Sequence, residues 1–539
     1  MNKNNNNHKA IIGMITSGSL VEGFVMRMSS HVSLEEIKAG KFVCIMGTQH
    51  RFFSLITDLT LEVSHPDILL FPPTDQETLL QDIVKNTGMY VTARLKPLLM
   101  LTYDNKPMPV KTIPSHFAPV SQALEADIAS IFGDEREPTK KYFNIGNPLD
   151  MQAAVCIDLE KLTERSNGIF GKTGTGKTFL TRLVLAGLIK QEKAVNLIFD
   201  MHGEYGLQAR KEGHANQFVK GLKTLFDDKV AIFSLDPAST RRRGGSPDVE
   251  MLLDYGSIHV EDILSLQEEL NLHPTACEAA YLVAAYYKKD WLMALLQSGD
   301  TLKEFAARVG AHPESIAALY RKLKHIERLP FFVKDLPRQE NVIDRMIEYI
   351  DNGISIIIEF GNYTSTFCYL LLANIITRRI HALYIQKTEK FLGSRALYDE
   401  PKKLMITIEE AHKFLNPQTA RQTIFGTIAR EMRKYYVSLL VIDQRPSGID
   451  PEIMSQIGTK IIAQLHDEKD IQAVLNGVSN AHHLRSILAS LESKKQAMLI
   501  GHAVMMPIVI ETRNYDEQFY RAMQGVVHKN INEIIQEIF

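Results

Sequence analysis

The sequence predicts an α/β fold in which a parallel sheet is covered by helices and interrupted by a helical insertion, with a small β-barrel ahead of it. Three observations carry this. Residues 10–120 read as short strands punctuated by Gly, Asp-Asn and Pro; from Gly146 onward apolar runs alternate with helical stretches; and residues 248–350 read as helical. Alternating strand and helix is the mark of a parallel sheet, and near-continuous apolar strands are those buried on both faces.

The barrel is expected from Ile11–Thr16, Phe24–Met28, Phe42–Met46, Phe52–Ile56 and Tyr90–Leu101. A linking helix, Gln122–Phe132, and the charged stretch Gly133–Lys141 follow, which places a domain of residues 1–134 before the boundary. The second domain, 146–515, takes its strands from Gly168–Phe170, Val195–Asp200, Val230–Leu235, Ser355–Phe360, Leu404–Ile408, Ser438–Ile442 and Lys460–Gln464. Its insertion, 248–350, holds the amphipathic segments Pro274–Ser298 and Thr301–Ile326. Within the latter, Gly310 marks a turn like that of a DNA-reading helix-turn-helix, although helical packing explains the pattern better. A C-terminal helix is expected over 516–539, and disorder over the Asn-rich Met1–Lys9.

Composition narrows the class. With 45% hydrophobic and 23% charged residues the chain is of the folded globular type, and its 539 residues exceed one ordinary core. A formal charge of -2 excludes a bulk cationic surface but not a basic channel lining. Cys44, Cys156, Cys277 and Cys368 are far apart, which suggests neither a zinc site nor a disulfide framework and fits a reducing cytoplasm. No run approaches the roughly 20 apolar residues of a spanning helix, so no membrane partner is expected.

The strongest motif is Gly171-Lys172-Thr173-Gly174-Thr175-Gly176-Lys177-Thr178, a complete P-loop between an apolar strand and the helical run Phe179–Ile189. Its glycines let backbone N–H groups face phosphate, and the helix N-terminus adds positive partial charge. Lys177 is expected at the β- and γ-phosphates of ATP, and Thr178 at Mg²⁺. Leu404–Glu410 reads as a buried strand ending in two carboxylates, Glu409 and Glu410, which can divide the work at Mg²⁺ and at the attacking water. Ser438–Ile442 ends in Asp443-Gln444, and Gln444 suits a γ-phosphate sensor as well as an ordinary polar turn. Arg430 and Arg433 share a helix face, either as a solvated basic patch or as a source of an arginine finger. These features make the core a RecA-like P-loop ATPase domain. Arg241-Arg242-Arg243-Gly244-Gly245 reads as an exposed basic loop, with DNA phosphate as a candidate contact.

Gly168–Thr178, the segment Ile198-Phe199-Asp200-Met201-His202-Gly203-Glu204-Tyr205, Glu409-Glu410-Ala411-His412, Arg433-Lys434 and Gln444-Arg445-Pro446-Ser447 resemble, in order and spacing, the HerA ATPases of the HerA/FtsK superfamily. The resemblance runs from Gly146 to about Arg513, and the β-rich start is similar to the barrel those proteins carry. It implies a homo-hexameric, ATP-driven translocase or helicase on double-stranded DNA. It also implies a partner, a NurA-type or other nuclease or a sirtuin-type NADase effector, in DNA end processing or anti-phage defence. By the same resemblance Lys177, Thr178, Glu409 and Glu410 serve nucleotide and Mg²⁺, Arg433 acts in trans and Gln444 is the sensor. Two departures stand out: Glu409 replaces an expected Asp, and Met432 an expected Gly. The competing expectation is a nucleotide-dependent ring scaffold that assembles and activates an effector, with DNA movement secondary.

Overall fold

The computed structural model describes residues 11–524 except 34, 36, 39, 66–87, 103, 105, 150, 211–217, 335, 337–340, 421–422, 432–433, 479–480 and 493–494. The chain divides into two compact units. The expected disordered Met1–Lys9 and most of the expected C-terminal helix lie outside the described residues; Glu517–Gln524 is helical.

The first unit contains a closed six-stranded antiparallel barrel, in the order Gly23–Met28, Ile11–Ser19, Pro119–Gln122, Phe42–Met46, Arg51–Val63, Met89–Leu101 and back to Gly23–Met28. Strand alternation builds its core: Phe24, Met26 and Met28 point in, while Arg27 is exposed. Ile12, Ile45, Phe52, Ile56, Leu95 and Val120 complete it. Closure requires Gly23, which sits at φ +89° with the Leu95 carbonyl oxygen 2.5 Å from where a Cβ would stand. The five expected strands are present, but the sixth, Pro119–Gln122, is too short and polar to announce itself. The linking helix begins at Glu125 because the Asp127 carboxylate accepts from the Leu124 N–H at 2.9 Å.

This unit runs on to Ile157 and takes in Val504–Glu511, so it is larger than the expected 1–134. The charged stretch after Phe132 marks a surface connection, beyond which the strand Tyr142–Pro148 and all but the last residue of Val155–Asp158 belong to the same unit.

The second unit is built on a parallel sheet. Its order is Val249–Glu250, Val230–Ser234, Ser355–Glu359, Val195–Asp200, Leu404–Glu409, Val437–Asp443, Asn167–Phe170 and Thr459–Ile462, with Gln496–Gly501 added antiparallel. All seven expected core strands are present within a residue or two. Several are buried along their whole length, as continuous apolar runs require.

The insertion is helical, with two differences from expectation. Pro274–Ser298 is broken where Lys288 takes φ +53°, leaving Pro274–Tyr287 and Trp291–Gln297. The chain turns at Gly310, φ +73°, between Leu302–Val309 and Pro313–Leu323. Phe305, Ala306, Val309, Ile316 and Leu319 on these helices are buried, which accounts for the pattern by packing. The basic stretch at Arg241 is not a flexible loop: Pro237–Arg242 is a short helix capped by Asp236. Arg241 pairs with Glu250 at 2.5 Å and Arg243 with the buried Glu359 at 2.5 Å. Among the described residues no helix is long and apolar enough to cross a membrane.

Candidate nucleotide-binding site

Register brings the C-terminal ends of the central strands level: Phe170 opposes Asp443, Ile442 opposes Glu409, and Asp200 opposes Glu359. Ligands of open α/β sheets bind beyond such an edge. Gln444 directly follows the strand Val437–Asp443, which lies between the P-loop strand and the acidic strand.

The P-loop follows Phe170 without a break. Gly174 and Gly176 take φ +77° and +90°, a conformation L side chains rarely adopt, and Gly176 caps the helix Lys177–Gln191. Lys177 Nζ donates to the Lys172 carbonyl at 2.9 Å and Thr175 Oγ1 to the same oxygen at 2.7 Å, so the loop is wrapped around its own lysine. Thr173 Oγ1 donates to Gln444 Oε1, and Gln444 Nε2 donates to Glu410 Oε1 at 3.0 Å. Gln444 therefore joins the loop to Glu410.

Thr178 and Glu409 were expected together at Mg²⁺. The structure instead brings Thr178 to Glu204: its hydroxyl donates to Glu204 Oε2 at 2.7 Å. Glu409 Oε1 accepts from the Tyr205 hydroxyl at 2.8 Å, and its Oε2 is sealed from solvent with no hydrogen-bond partner among the described residues. Burial, with Asp200 nearby, pushes the Glu409 carboxyl up to about 8, so at neutral pH it holds a proton. The reason for the difference is local: the Asp200 turn folds Tyr205 and Glu204 over the end of the acidic strand. Thr178 and Glu204 present the hard oxygen donors that suit Mg²⁺.

That turn is tightly made. Asp200, fully buried, accepts from the N–H groups of Glu204 at 2.8 Å, Tyr205 at 2.8 Å and Gly206 at 3.3 Å. Asp200, His202 and Glu204 had no separate roles from sequence; here Asp200 shapes the turn, Glu204 faces Thr178, and His202 is exposed.

Glu410 adopts φ +49°, uncommon for a residue with a Cβ and a source of strain. Beside it, the buried Asp443 accepts from the His412 N–H at 2.6 Å, from its ring Nδ1 at 3.0 Å and from the Arg445 N–H at 2.7 Å. The Asp443 hydrogen bond raises the His412 pKa. Glu410, His412 and Asp443 have the spacing of a metal group, but Asp443 is already satisfied by these donors. Sequence reasoning missed His412, Asp443 and Tyr205, whose partners are distant in sequence.

Arg430 lies on the helix Ile424–Glu431 and donates to the Ala420 carbonyl at 3.3 Å. Arg433 and Met432 lie outside the described residues.

The family model for the central domain of the HerA helicase matches residues 143–380. A probable helicase of Methanocaldococcus jannaschii is 30% identical over 559 residues, covering 94% of this chain and 96% of that protein. The chain belongs to the HerA family. The DNA double-strand break repair helicase HerA of Sulfurisphaera tokodaii is 24% identical over 545 residues, 96% of this chain and 97% of that protein. Its namesake from Pyrococcus furiosus is 23% identical over 398 residues, 69% of each chain. As a HerA-type P-loop protein, the chain is an ATP-hydrolysing enzyme.

Proposed function

We propose that this HerA-type ATPase is a motor on double-stranded DNA, a translocase or helicase working as a homo-hexamer. Its partner on this reading is a NurA-type or other nuclease, or a sirtuin-type NADase effector, in DNA end processing or anti-phage defence. The observation that carries the DNA reading is likeness along nearly the whole chain to a DNA double-strand break repair helicase. The site supports a motor, because Gln444 touches both the P-loop and Glu410 and so can couple phosphate occupancy to the group that acts on water.

In this reading Lys177 binds phosphate, Glu410 orients and deprotonates water, and Gln444 senses the γ-phosphate. Thr178 would hold Mg²⁺, with Glu204 better placed than Glu409 to assist, and the ion would supply neutralisation of phosphate charge. One of Arg430 and Arg433 reaches a neighbouring subunit's ATP.

Two measurements test this. Duplex DNA should stimulate ATP turnover, and the chain should displace a triplex-forming strand from duplex only with hydrolysable ATP; a turnover indifferent to DNA would favour the scaffold. Arg433→Ala subunits mixed with Lys177→Ala subunits should regain turnover absent from either alone. Normal hydrolysis by dilute monomers of both Arg430→Ala and Arg433→Ala would sink the ring mechanism.

A further inference from the structure

Two arginines hold adjacent carbonyls of the turn that carries Glu204. Arg182 is one helical turn beyond Thr178 on the P-loop helix and only 2% exposed. Its guanidinium donates from Nε to the Glu204 carbonyl at 3.1 Å and from a terminal nitrogen to the same oxygen. It lies 5.4 Å from the Phe179 ring centroid and 5.9 Å from that of Tyr515. Among the described residues no carboxylate pairs with it, which is unusual because a buried cation ordinarily needs one. Arg243, from the far side of the turn, donates to the Gly203 carbonyl at 3.4 Å and forks to Glu359, whose side chain is fully buried. Thr240 Oγ1 adds a bond to the same Glu359 oxygen at 2.8 Å. Glu359 approaches so closely that its Oε1 would stand 2.7 Å from a Cβ on Gly206.

The turn is thus fixed from both sides: Asp200 takes its N–H groups within, and the two arginines take its carbonyls without. The side chain so aimed is Glu204, whose carboxylate meets the Thr178 hydroxyl. We infer that Arg182 and Arg243 are positioning residues for ATP hydrolysis, holding the Gly203–Glu204 backbone so that Glu204 faces Thr178. This rests on the nucleotide-site reading above. It gives the basic stretch at Arg241 an inward role for its last residue, and it ties Tyr515, through Arg182, to the same carbonyl.

The test uses the full chain. Arg182→Lys keeps the charge but loses the fork. Arg243→Met combined with Glu359→Gln loses the strut without leaving a buried carboxylate unpaired. Each should lower kcat by about tenfold or more, the usual scale for a misplaced catalytic group. Affinity for a fluorescent ATP analogue without Mg²⁺ should stay within about twofold, while the gain in affinity on adding Mg²⁺ shrinks. Because both act through Glu204, adding either change to Glu204→Gln should cost little more, whereas independent structural damage would multiply. Wild-type kcat in a folded Arg243→Met/Glu359→Gln chain, or effects that multiply with Glu204→Gln, would overturn the inference. If Arg182→Lys melts early, the paired variant decides. Normal turnover by Glu204→Gln beside a dead Lys177→Ala would remove this inference and leave the ATPase site standing.

Discussion

The P-loop and the Asp200 turn both project from strand ends at the same edge of the sheet, yet they are built by opposite means. The loop rests on two left-handed glycines, and its middle residues Lys172, Thr173 and Gly174 are exposed. The turn is filled with side chains: Asp200 inside, Arg182 and Arg243 outside, and Tyr205 on Glu409. The loop's shape is set by backbone conformation, whereas the turn that aims a carboxylate is set by side chains bonded to its N–H groups and carbonyls.

The largest effects should separate binding from chemistry on the loop side. Lys177→Ala should lose ATP binding, and Glu410→Gln should bind ATP while turnover falls by about a hundredfold or more. Equilibrium binding and steady-state turnover check this pair; near-normal turnover by Glu410→Gln would remove the role given to it.

Stability should show the reverse asymmetry. Asp200→Ala leaves three buried N–H groups without their acceptor and should cost about 3 kcal/mol or more, whereas Gly174→Ala, with open space around its Cα, should cost about 1 kcal/mol of backbone strain. Denaturant midpoints compare them directly, and equal losses would erase the distinction drawn here.

A smaller effect is expected where the two sides meet. Thr173→Val removes the hydroxyl bonded to Gln444 and should lower kcat by about tenfold with an unchanged melting temperature. An unchanged kcat would leave Gln444 without its link to the loop.

The smallest is a matter of pH. The Glu409 carboxyl is raised in the folded chain, so between its ordinary range near 4 and about 8 the unfolded state is ionised while the fold keeps the proton. That contribution disfavours the fold progressively as pH rises through this window and is absent below it. Glu409→Gln, which preserves the acceptor for Tyr205, should therefore raise the melting temperature more at pH 8 than at pH 5. A pH-independent gain would show that the proton is not held there.

How legible each region was in the sequence follows the same contrast. The P-loop and its flanking strand and helix are contiguous, so residues 168–189 disclose their structure and their chemistry together. The turn's first half, Asp200-Met201-His202-Gly203-Glu204, was visible as a motif, but the arginines that hold it lie at 182, unremarked within the helical run Phe179–Ile189, and at 243, read as part of a basic loop. The helix Thr366–Ser394 went unread for another reason: it is buried continuously from Cys368 to Thr377, so no polar face marks its period. Glu409 was read from a carboxylate at a strand end, and the Tyr205 hydroxyl it accepts from lies far away in sequence.

The left-handed backbone at Glu410 has a consequence for thermal adaptation. Glutamate there makes the fold less stable than the same fold with Gly or Asn at that position, by about 1 kcal/mol. Selection for heat resistance alone would favour those replacements, and each would delete the carboxylate proposed to act on water. Lineages of this ATPase that warm must therefore find their added stability elsewhere in the chain, and an inactive copy released from that demand should be free to harden at this residue.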